Sequence, residues 1–414
     1  MSGFPAPAEP VRVALVGAGQ RSSTIYRPLF GSLAPWVRVV AVCDPVRDHA
    51  DALAGVLGVA AFHDIRHLVD ARPMEAALVV APVESHYSAS CYLSAHGIHN
   101  LVETTWCSLL AQAREMIATA RANRVVVRVA ENFFRFPIDR IVGKIAATGV
   151  LGRIGRIVSY DDHTGYHNDS RWIAFAGAHP EWVQSVEHAM PTAAFRESPE
   201  RLHAEETYRA RFFGFPDGLL VVDHASNLKG FLGRYPRPGY TEWQGERGTV
   251  AYFARRPWHG EGEVRWCSDE ALARGRGFCD RTFPIVDEYE DRRWTRTYVD
   301  LPCGRVEHVN PFRPKELPPH ANDWYGSAVM DHVADFALAV RGLRESEFDE
   351  EDALASLMME AGAHESALAE GQRIALPIAG EPETDRRARE EARRRFGVDP
   401  MDIDGMLALS YPKP

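Results

Sequence analysis

The segment VRVALVGAGQRS, residues 11–22, is the most informative part of this 414-residue chain. A short apolar run predicts a strand, and Gly17 and Gly19 follow where that strand ends. A strand that ends in Gly-x-Gly and opens a helix brings main-chain N–H groups to a pyrophosphate. Ser22 occupies the position of a third glycine, where its small side chain still permits close helix packing. We predict a dinucleotide-binding turn here, with an ordinary strand-to-helix turn as the alternative.

Short apolar runs alternate with helical patterns through residues 11–129. The runs that predict strands, being short and rich in β-branched residues, are 11–16, 37–43, 59–62, 77–81, 98–102 and 125–129. The segments that predict helices are 23–33, 47–57, 87–96 and 109–122. Strands that alternate with helices indicate a parallel sheet covered on both faces. The predicted fold class is therefore α/β, with an N-terminal Rossmann-type, doubly wound parallel sheet.

After Asn132 the pattern changes to longer runs of alternating character, which are typical of an antiparallel sheet. The predicted strands are 154–160, 207–215, 219–225 and 294–301, after a helix at 138–148. The tripeptide 216–218, Pro-Asp-Gly, predicts a hairpin turn, because glycine accepts the positive φ that a tight turn requires. This part of the chain is expected to be an α+β domain with an open, mostly antiparallel sheet.

The C-terminal part begins with a proline-rich stretch at 310–323, which predicts a long loop. The helical patterns that follow are 324–341, 351–370 and the charged run 385–395. The charged run is expected to be a solvated helix, with an oligomer contact as the alternative. The expected division is a dinucleotide-binding domain at 1–132, a substrate and oligomerisation domain at 133–380, and a charged extension at 381–414.

Composition limits the classes of partner. Lys plus Arg number 47 and Asp plus Glu number 57, and the net charge of −10 disfavours nucleic acid. No apolar stretch is long enough to span a bilayer, and the first ten residues carry no basic leader. The six scattered cysteines form no C-x-x-C pair, which favours a reducing cytoplasm. We expect a cytoplasmic protein that binds a small molecule, with no membrane partner and no metal.

Asp44 ends the second predicted strand, where an acidic side chain accepts hydrogen bonds from the ribose hydroxyls of an adenosine. A 2′-phosphate would be repelled there, although Arg47 is close enough in sequence to reduce the repulsion. The sequence therefore favours NAD as the cofactor and leaves NADP open. The alternative role of Asp44, as the cap of the following helix, is compatible with cofactor binding.

The order of these motifs, with APVESH at 81–86 after the fourth strand, resembles the Gfo/Idh/MocA family of nicotinamide-dependent oxidoreductases. The likeness covers most of residues 11–378. It implies a homo-oligomer, dimer or tetramer, with a dinucleotide loop, a ribose acid and a Pro-x-x-x-His segment beside the nicotinamide. The cofactor-binding residues implied by the turn and the resemblance are Gly17, Gly19, Gln20, Arg21, Ser22, Asp44, Arg47, Pro82, His86, Glu103, Thr104 and Asn132.

This chain departs from the family at 103–105, where Glu103-Thr104-Thr105 replaces the usual Glu-Lys-Pro. In the family that lysine lies by the nicotinamide and helps to move the substrate's hydroxyl proton. A threonine hydroxyl does not act as a general base at neutral pH. The resemblance still implies that Glu103 contacts the nicotinamide ribose.

The segment AENFFR, 130–135, is similar to a Glu-Asn-aromatic segment in branches that resemble NAD-dependent glycosidases. In those branches oxidation, elimination, water addition and reduction occur on one sugar, and the cofactor ends unchanged. The similarity implies that Asn132 orients a sugar hydroxyl and that Arg135 binds the substrate.

A replacement for the lysine is sought in the segment DDHTGYHND, 161–169, which directly follows a strand. Histidine titrates near neutrality, and a neighbouring carboxylate raises its basicity. We predict His167 as the acid/base, with Tyr166 or His163 as an auxiliary donor. Two alternatives remain open: the histidines are ordinary loop hydrogen-bonders, or His163 and His167 bind a divalent metal with Asp161 or Asp169.

Trp324 and Tyr325 open a predicted helix and are candidates to stack on a sugar ring, with packing into the domain interface as the alternative. The predicted function is hydride transfer between NAD and a hydroxyl or carbonyl carbon of a sugar or cyclitol. A redox-neutral glycoside hydrolase or lyase that uses NAD transiently is the second possibility. A non-catalytic dinucleotide-binding protein is the third.

Overall fold

A computed structural model of the chain describes residues 4–160, 165–198, 201–226, 239–255, 259–275, 279–291, 293–316, 323–409 and 411. The chain divides into two compact units, which are described separately. The first unit comprises 1–132, 311–354 and 380–413. The second comprises 133–310 and 355–379. The expected domain division counted 311–354 with the second domain and 381–414 as an extension, whereas the structure groups both with the first unit.

The first unit contains a six-stranded parallel sheet, so the predicted Rossmann class is confirmed. Its strands are β1 (Val11–Val16), β2 (Val37–Cys43), β3 (Ala60–Phe62), β4 (Ala76–Val79), β5 (His99–Val102) and β6 (Val127–Val129). Their order across the sheet is β3-β2-β1-β4-β5-β6. The order reverses between β1 and β4, which is the position where doubly wound sheets bind ligands.

Eight helices in the described part of the first unit either join these strands or follow the loop after residue 310. They are α1 (Arg27–Leu33), α2 (Arg47–Leu57), α3 (Ile65–Ala71), α4 (Val83–Ala95), α5 (Leu110–Ala122), α9 (Asp323–Val340) and α11 (Glu383–Phe396), with the short α12 (Ile403–Leu407) near the C terminus. The helix predicted at 23–33 instead begins as a π-helical turn, Ser22–Tyr26, before α1. No helix was predicted at α3.

The core of the first unit lies between the sheet and helices α1 and α9. Val329, Val333 and Phe336 of α9 belong to the same buried cluster as Val13 and Leu15 of β1. The apolar positions of α9 therefore face the sheet, and this fixes the helix against the strand that leads into the glycine turn.

The C-terminal helices pack on the first unit through polar contacts. Asp385 of α11 accepts hydrogen bonds from the main-chain N–H groups of Leu110 (2.7 Å) and Ala111 (3.4 Å) at the start of α5. The Gln112 side chain donates to the main-chain oxygen of Pro400 (3.0 Å). The charged helix is thus solvated on most of its surface, as expected, but Asp385 is buried and caps another helix.

The second unit contains an eleven-stranded sheet that is mostly antiparallel, as predicted. The strands are β7 (Ile154–Tyr160), β8 (Trp182–Ser198), β9 (Arg201–Gly214), β10 (Leu220–Ser226), β11 (Gly239–Gly245), β12 (Gly248–Arg255), β13 (His259–Trp266), β14 (Arg281–Glu290), β15 (Arg293–Leu301), β16 (Gly304–Val309) and β17 (Ile374–Ala375). The order is β16-β15-β14-β13-β12-β11-β7-β10-β9-β8-β17, and β7 and β10 pair in parallel. The Pro-Asp-Gly turn connects β9 to β10, with positive φ at Asp217 and Gly218.

The remaining helices are α6 (Pro137–Ala147), α7 (Gly165–Ala176), α8 (Asp269–Ala273) and α10 (Glu350–Leu368), the last of which enters the second unit at residue 355. No helix was predicted where α7 lies. Residues 167–173 of α7 are all buried, which shows that tertiary contacts stabilise this polar segment as a helix. Among the described helices, none is both long and apolar enough to cross a membrane.

Candidate functional site

The parallel register brings five strand ends to one edge of the first unit's sheet. Val16 of β1 pairs with Cys43 of β2 and with Val79 of β4, and this alignment continues through β5 to Val129 of β6. The residues that directly follow these strands therefore share one edge. They include the glycine turn, Asp44, Glu103 and Asn132.

The glycine turn has the geometry of a main-chain ligand site. Gly17 has a φ of +100°, and a Cβ atom there would lie 2.2 Å from the main-chain oxygen of Val80. Around Gly19, by contrast, no described atom apart from those of its own chain neighbourhood lies within 4 Å of a Cβ placed there. Gly17 thus permits the turn, while Gly19 leaves space in which a phosphate can approach the main chain. Ser22, in place of the third glycine, is buried and donates to the Gly17 oxygen (2.7 Å).

Asp44 is held by two main-chain donors at the end of β2. One carboxylate oxygen accepts from the N–H of Ala18 (2.7 Å) and the other from the N–H of Val46 (2.8 Å). Val46 is the N-cap residue of α2 and no described side chain caps that helix, so Asp44 holds the segment before α2 and does not act as its cap. Each carboxylate oxygen can accept a further bond, so ribose hydroxyls fit as additional donors. Gln20 and Arg47 are exposed beside these elements.

The segment after β4 gives His86 a structural position. Its two ring nitrogens lie 2.8 Å from the main-chain oxygen of Ala81 and 2.9 Å from that of Thr105. Burial lowers the pKa of His86, and the two carbonyl oxygens oppose that shift. His86 thus ties the loop after β4 to the loop after β5, while Pro82 is exposed at the start of α4.

Glu103, directly after β5, is the centre of a buried polar network. Its Oε1 atom accepts hydrogen bonds from Arg21 Nε (2.7 Å) and from the Tyr26 hydroxyl (2.8 Å). Its Oε2 atom accepts from the N–H of Thr104 (2.9 Å). Burial raises the pKa of Glu103, but the charges of Arg21 and His332 and these hydrogen bonds outweigh burial and bring the pKa below its usual value. Glu103 is therefore an anion at neutral pH.

Tyr325 of α9 joins this network through Arg21. The Arg21 guanidinium donates to the Tyr325 hydroxyl, and the Asn132 amide also bonds this hydroxyl. Asn132 is only 2% exposed, and its side-chain oxygen has no hydrogen-bond partner in the described part of the chain. Trp324 is buried, whereas Tyr325 is half-buried.

Two members of this network were not predicted from the sequence, Tyr26 and His332. The His332 ring nitrogen Nε2 lies 3.4 Å from the Tyr26 hydroxyl. Their separation of 306 residues leaves no local signal for the contact. The one available sign was a histidine in the apolar pattern of a long helix, which more often indicates a hydrogen-bonded core residue.

In the second unit, His167 and Tyr166 lie in the first turn of α7. The His167 ring stacks on Phe133 at 4.1 Å with an interplanar angle of 5° and also contacts the Tyr166 ring. His167 is 8% exposed. Arg135 is buried with its guanidinium 4.6 Å from the Phe134 ring centre. His163 and Asp161 lie outside the described residues.

The second unit also holds a buried charge cluster that the sequence did not predict. The fully buried Arg211 of β9 contacts three carboxylates, those of Asp169 on α7, Asp223 on β10 and Glu360 on α10. Burial raises the pKa of Asp169 well above its usual value, whereas Arg211 and Arg209 outweigh burial at Glu360 and lower its pKa. Asp169 therefore holds a proton more firmly than Glu360 does.

The alternative that His167 and Asp169 bind a divalent metal has no support in the residues that the structure describes. Across all the described residues, no group of three or more His, Cys, Asp or Glu side chains is placed to hold a metal ion. Asp169 faces Arg211 at 3.3 Å. A carboxyl group packed against a buried guanidinium is a poor metal ligand, because a metal cation there would lie close to that fixed positive charge.

The glycine turn, the anchored Asp44 and the shared strand edge define the first unit as a dinucleotide-binding domain of the Rossmann class. Residues 11–131 match the Gfo/Idh/MocA family, described as "Oxidoreductase family, NAD-binding Rossmann fold". Residues 11–131 of this chain are therefore similar to the NAD-binding domains of that oxidoreductase family.

Two curated relatives are dehydrogenases by name. The D-glucoside 3-dehydrogenase of Escherichia coli (strain K12) is 31% identical over 150 residues, 36% of this chain and 42% of that protein. The inositol 2-dehydrogenase of Streptomyces avermitilis is 33% identical over 146 residues, 35% of this chain and 41% of that protein. The matches thus span less than half of each relative's length.

The likeness of the whole chain to solved structures concerns the fold. A levoglucosan dehydrogenase in complex with NADH and levoglucosan superposes with a TM-score of 0.66 and 18% identity. The superposition covers 89% of this chain and all of that chain (100%). Both units of the chain therefore have the architecture found in that enzyme.

Proposed function

We propose that this protein is an NAD-dependent oxidoreductase that transfers a hydride between nicotinamide and a hydroxyl-bearing carbon of a sugar or cyclitol. The observation that supports this most is the pairing of the tight Gly17 turn with Asp44 at one strand edge. Two relatives that match the same domain are named for a glucoside and for inositol. A polyhydroxylated ring is thus the substrate class to test first.

Asp44 supports NAD rather than NADP as the cofactor. Its carboxylate is fixed at the end of β2 by Ala18 and Val46, so it cannot turn away from an incoming 2′-phosphate without losing those bonds. The exposed Arg47 is the nearest cation in sequence that would offset the repulsion. We therefore expect NADH to bind more tightly than NADPH.

The reaction needs one proton to move with each hydride. When bound, the dinucleotide supplies the hydride acceptor or donor. As the substrate's C–H bond breaks and its carbonyl forms, the hydroxyl proton must pass to a base of this chain. Thr104 offers no such base, and His167 is our candidate for it, with Tyr166 or His163 as an auxiliary donor. Asn132, Arg135 and Tyr325 are proposed to hold substrate hydroxyls.

A redox-neutral glycoside hydrolase or lyase is the second candidate, and Thr104 is the observation that favours it. An oxidation at one ring carbon acidifies the neighbouring C–H bond and permits elimination of the glycosidic alcohol. In a hydrolase water then adds to the double bond, and in both cases a final reduction returns the hydride. In that case the nicotinamide absorbance does not change in the steady state.

The protein is further proposed to be cytoplasmic and to assemble as a dimer or tetramer. Light scattering on a sizing column would measure the oligomeric state.

The first experiment uses freshly purified full-length protein. Bound NAD(H) is extracted and quantified, and NADH and NADPH are titrated by nicotinamide fluorescence. The protein is then offered myo-inositol, methyl glucosides and aryl glucosides while nicotinamide absorbance and product are followed together. NADH formed in proportion to product supports the dehydrogenase. Product without net NADH supports the redox-neutral enzyme, and failure to bind either dinucleotide overturns both.

His167→Asn tests the proposed base. The asparagine keeps a polar side chain in the space of the ring but does not exchange a proton near neutral pH. We expect kcat to fall by about 100-fold or more, while the Kd of NADH stays the same. His96→Asn, at an exposed position on the first unit, is the control. An unchanged kcat in His167→Asn would leave the ring with a packing role only.

A further inference from the structure

The hydroxyl of Tyr325 lies against two side-chain donors. The Arg21 guanidinium donates to it from the glycine turn, and the Asn132 amide donates to it from the segment after β6. The guanidinium carbon of Arg21 is also 5.5 Å from the centre of the Tyr325 ring. Three chain segments that are distant in sequence therefore meet at one phenol oxygen, beside the strand edge that carries the glycine turn.

Arg21 is held in place from its other side. Its Nε atom bonds the buried carboxylate of Glu103, which in turn accepts the Tyr26 hydroxyl. Tyr26 contacts His332, which lies on α9 seven residues beyond Tyr325 and thus on the same face of that helix. The network clamps α9 to the ends of β1 and β5 at two points. The position of the phenol is therefore set by buried groups rather than by a mobile side chain.

The contacts at the oxygen determine what the phenol can do. A hydroxyl oxygen that accepts hydrogen bonds from a guanidinium and an amide gives up its own proton to a third group more readily, because hydrogen bonds in a chain polarise one another. Burial raises the pKa of Tyr325, and the nearby Glu103 adds to this, while Arg21 and Asn132 act in the opposite direction. At neutral pH the group is thus a neutral phenol, suited to donate a hydrogen bond.

Building on the proposed function, we propose that Tyr325 is a catalytic residue that donates a hydrogen bond to the reacting oxygen of the substrate, with Arg21 as its positioning residue. In carbonyl reduction this oxygen gains negative charge as the hydride reaches the carbon. In alcohol oxidation the same oxygen carries that charge as its proton leaves for the general base. Tyr325 keeps its own proton in both directions, so no further acid, base or oxidant is required.

In the transition state the reacting oxygen carries a charge that it lacks in the ground state. A fixed donor aimed at a developing oxyanion lowers the barrier by more than it strengthens substrate binding. Thr104 lies on the other side of Glu103 and bonds that carboxylate through its N–H and, at 3.2 Å, through its hydroxyl. The Thr104 hydroxyl thus bonds Glu103, whereas the Tyr325 hydroxyl accepts hydrogen bonds from Arg21 and Asn132 and is thereby strengthened as a donor.

Tyr325→Phe is the test, with Tyr92→Phe on α4 as the matched control. The probes are NADH alone, and then whichever of myo-inositol or methyl glucoside the wild type oxidises. We expect Tyr325→Phe to bind NADH with an unchanged Kd and to lose about 100-fold in kcat and in kcat/KM together. The equal loss marks an interaction made in the transition state, which a structural role would not produce.

Four further measurements keep the test decisive. Thermal unfolding of Tyr325→Phe shows whether the domain is intact, and Tyr325→His, which restores an N–H donor, is expected to recover part of kcat. Without any cofactor, a near-ultraviolet difference titration of wild type against Tyr325→Phe is expected to place the ionisation of Tyr325 above the usual tyrosine value of 10.0. Arg21→Lys, which loses the planar donor, is expected to lower kcat without abolishing NADH binding.

The outcomes separate this inference from the proposed function. A wild type that binds no dinucleotide, or oxidises none of the probes, overturns the proposed function and this inference with it. A wild type that turns over, together with a Tyr325→Phe variant of normal kcat, overturns the role of Tyr325 alone. A Tyr325→Phe variant that raises only KM assigns Tyr325 to ground-state substrate binding and also overturns the inference.

Discussion

The Nε atom of Arg21 lies 2.7 Å from the Oε1 atom of Glu103, although the two residues follow strands that are not neighbours in the sheet. Strand β4 lies between β1 and β5, so the ion pair bridges over its end. Glu103 is 5% exposed, whereas Arg21 is partly exposed. An anion buried to this degree requires its partner, because an unpaired buried charge is strongly destabilising. The pair therefore fixes the loop after β1 relative to the loop after β5.

Glu103→Gln is expected to lower the free energy of unfolding by about 2 kcal/mol at neutral pH, since the ion pair is lost and the shape is kept. The pKa of Glu103 is lowered in the fold from 4.5. Its contribution is therefore fully present above pH 4.5 and is lost as pH falls through the folded pKa. Urea unfolding of both proteins across a pH series should show their difference shrinking in acid.

Glu84→Gln is the control for that experiment. Glu84 pairs with Arg395 at 3.1 Å, but half of the Arg395 side chain is exposed. A surface ion pair of this kind contributes little, so its loss should change stability by less than about 1 kcal/mol. Equal losses in the two variants would show that the burial of Glu103 adds nothing to the strength of its ion pair.

Gly17→Ala and Gly19→Ala are expected to fail in different ways. At Gly17 an alanine combines a positive φ with a Cβ atom 2.2 Å from the Val80 oxygen. The free energy of unfolding should therefore fall by about 2 kcal/mol or more. At Gly19 the described neighbourhood leaves room for the methyl group, and stability should hold. The methyl group would then occupy space proposed for the pyrophosphate and weaken NADH binding about tenfold, or 1.4 kcal/mol.

Thermal unfolding and NADH fluorescence titration of the two glycine variants separate these effects. A Gly19→Ala variant that binds NADH normally would contradict the placement of the pyrophosphate at this turn. A Gly17→Ala variant as stable as the wild type would show that the loop after β4 moves to admit the Cβ atom.

The sequence predicted the elements whose signals are local. Strand β1, strand β2 and helix α2 have the predicted bounds, because each joins a clear hydrophobic period to a glycine or polar boundary. Asp44 was predicted by its place after β2. The contact of Arg21 with Tyr325 was not, because 304 residues separate them and nothing local in either segment indicates the other.

Helix α7 was not predicted because its stability comes from distant residues. Its segment contains glycine, asparagine and aspartate, which have low helix propensity and indicate a loop. In the structure Asp169 faces Arg211 of β9, and the Asn168 amide lies 3.5 Å from Asp223 of β10. These contacts bury the polar side chains of the helix, so its form depends on strands that the local pattern does not include.

Asp44→Asn is expected to change the preference between the two dinucleotides. An amide still accepts from one of the Ala18 and Val46 N–H groups, but its own N–H₂ faces the other. The Kd of NADH should rise about tenfold or more, and the Kd of NADPH should rise less, because the repulsion of the 2′-phosphate is removed. Asp70→Asn, on the exposed side of α3, is the control. An unchanged ratio of the two Kd values would exclude Asp44 from ribose recognition.

The cluster around Arg211 yields a prediction in which two variants respond to pH with opposite sign. Asp169 has a raised pKa in the fold, so its contribution to stability is lost as pH rises through that folded value. Glu360 has a lowered pKa, so its contribution is lost as pH falls. Relative to wild type, Asp169→Asn should therefore gain stability towards alkaline pH, and Glu360→Gln should recover its deficit towards acid pH.

Arg211→Met completes this test, because it leaves the carboxylates of the cluster without their central cation. We expect the free energy of unfolding to fall by about 3 to 5 kcal/mol at neutral pH, because removing the guanidinium leaves buried carboxylates without a cation. This decrease should exceed that of either carboxylate variant. Urea unfolding of the three variants over a pH series measures all of these effects. If Asp169→Asn were as damaging at neutral pH as Arg211→Met, Asp169 would be an ionised member of the cluster, and the proton would belong to Glu360 instead.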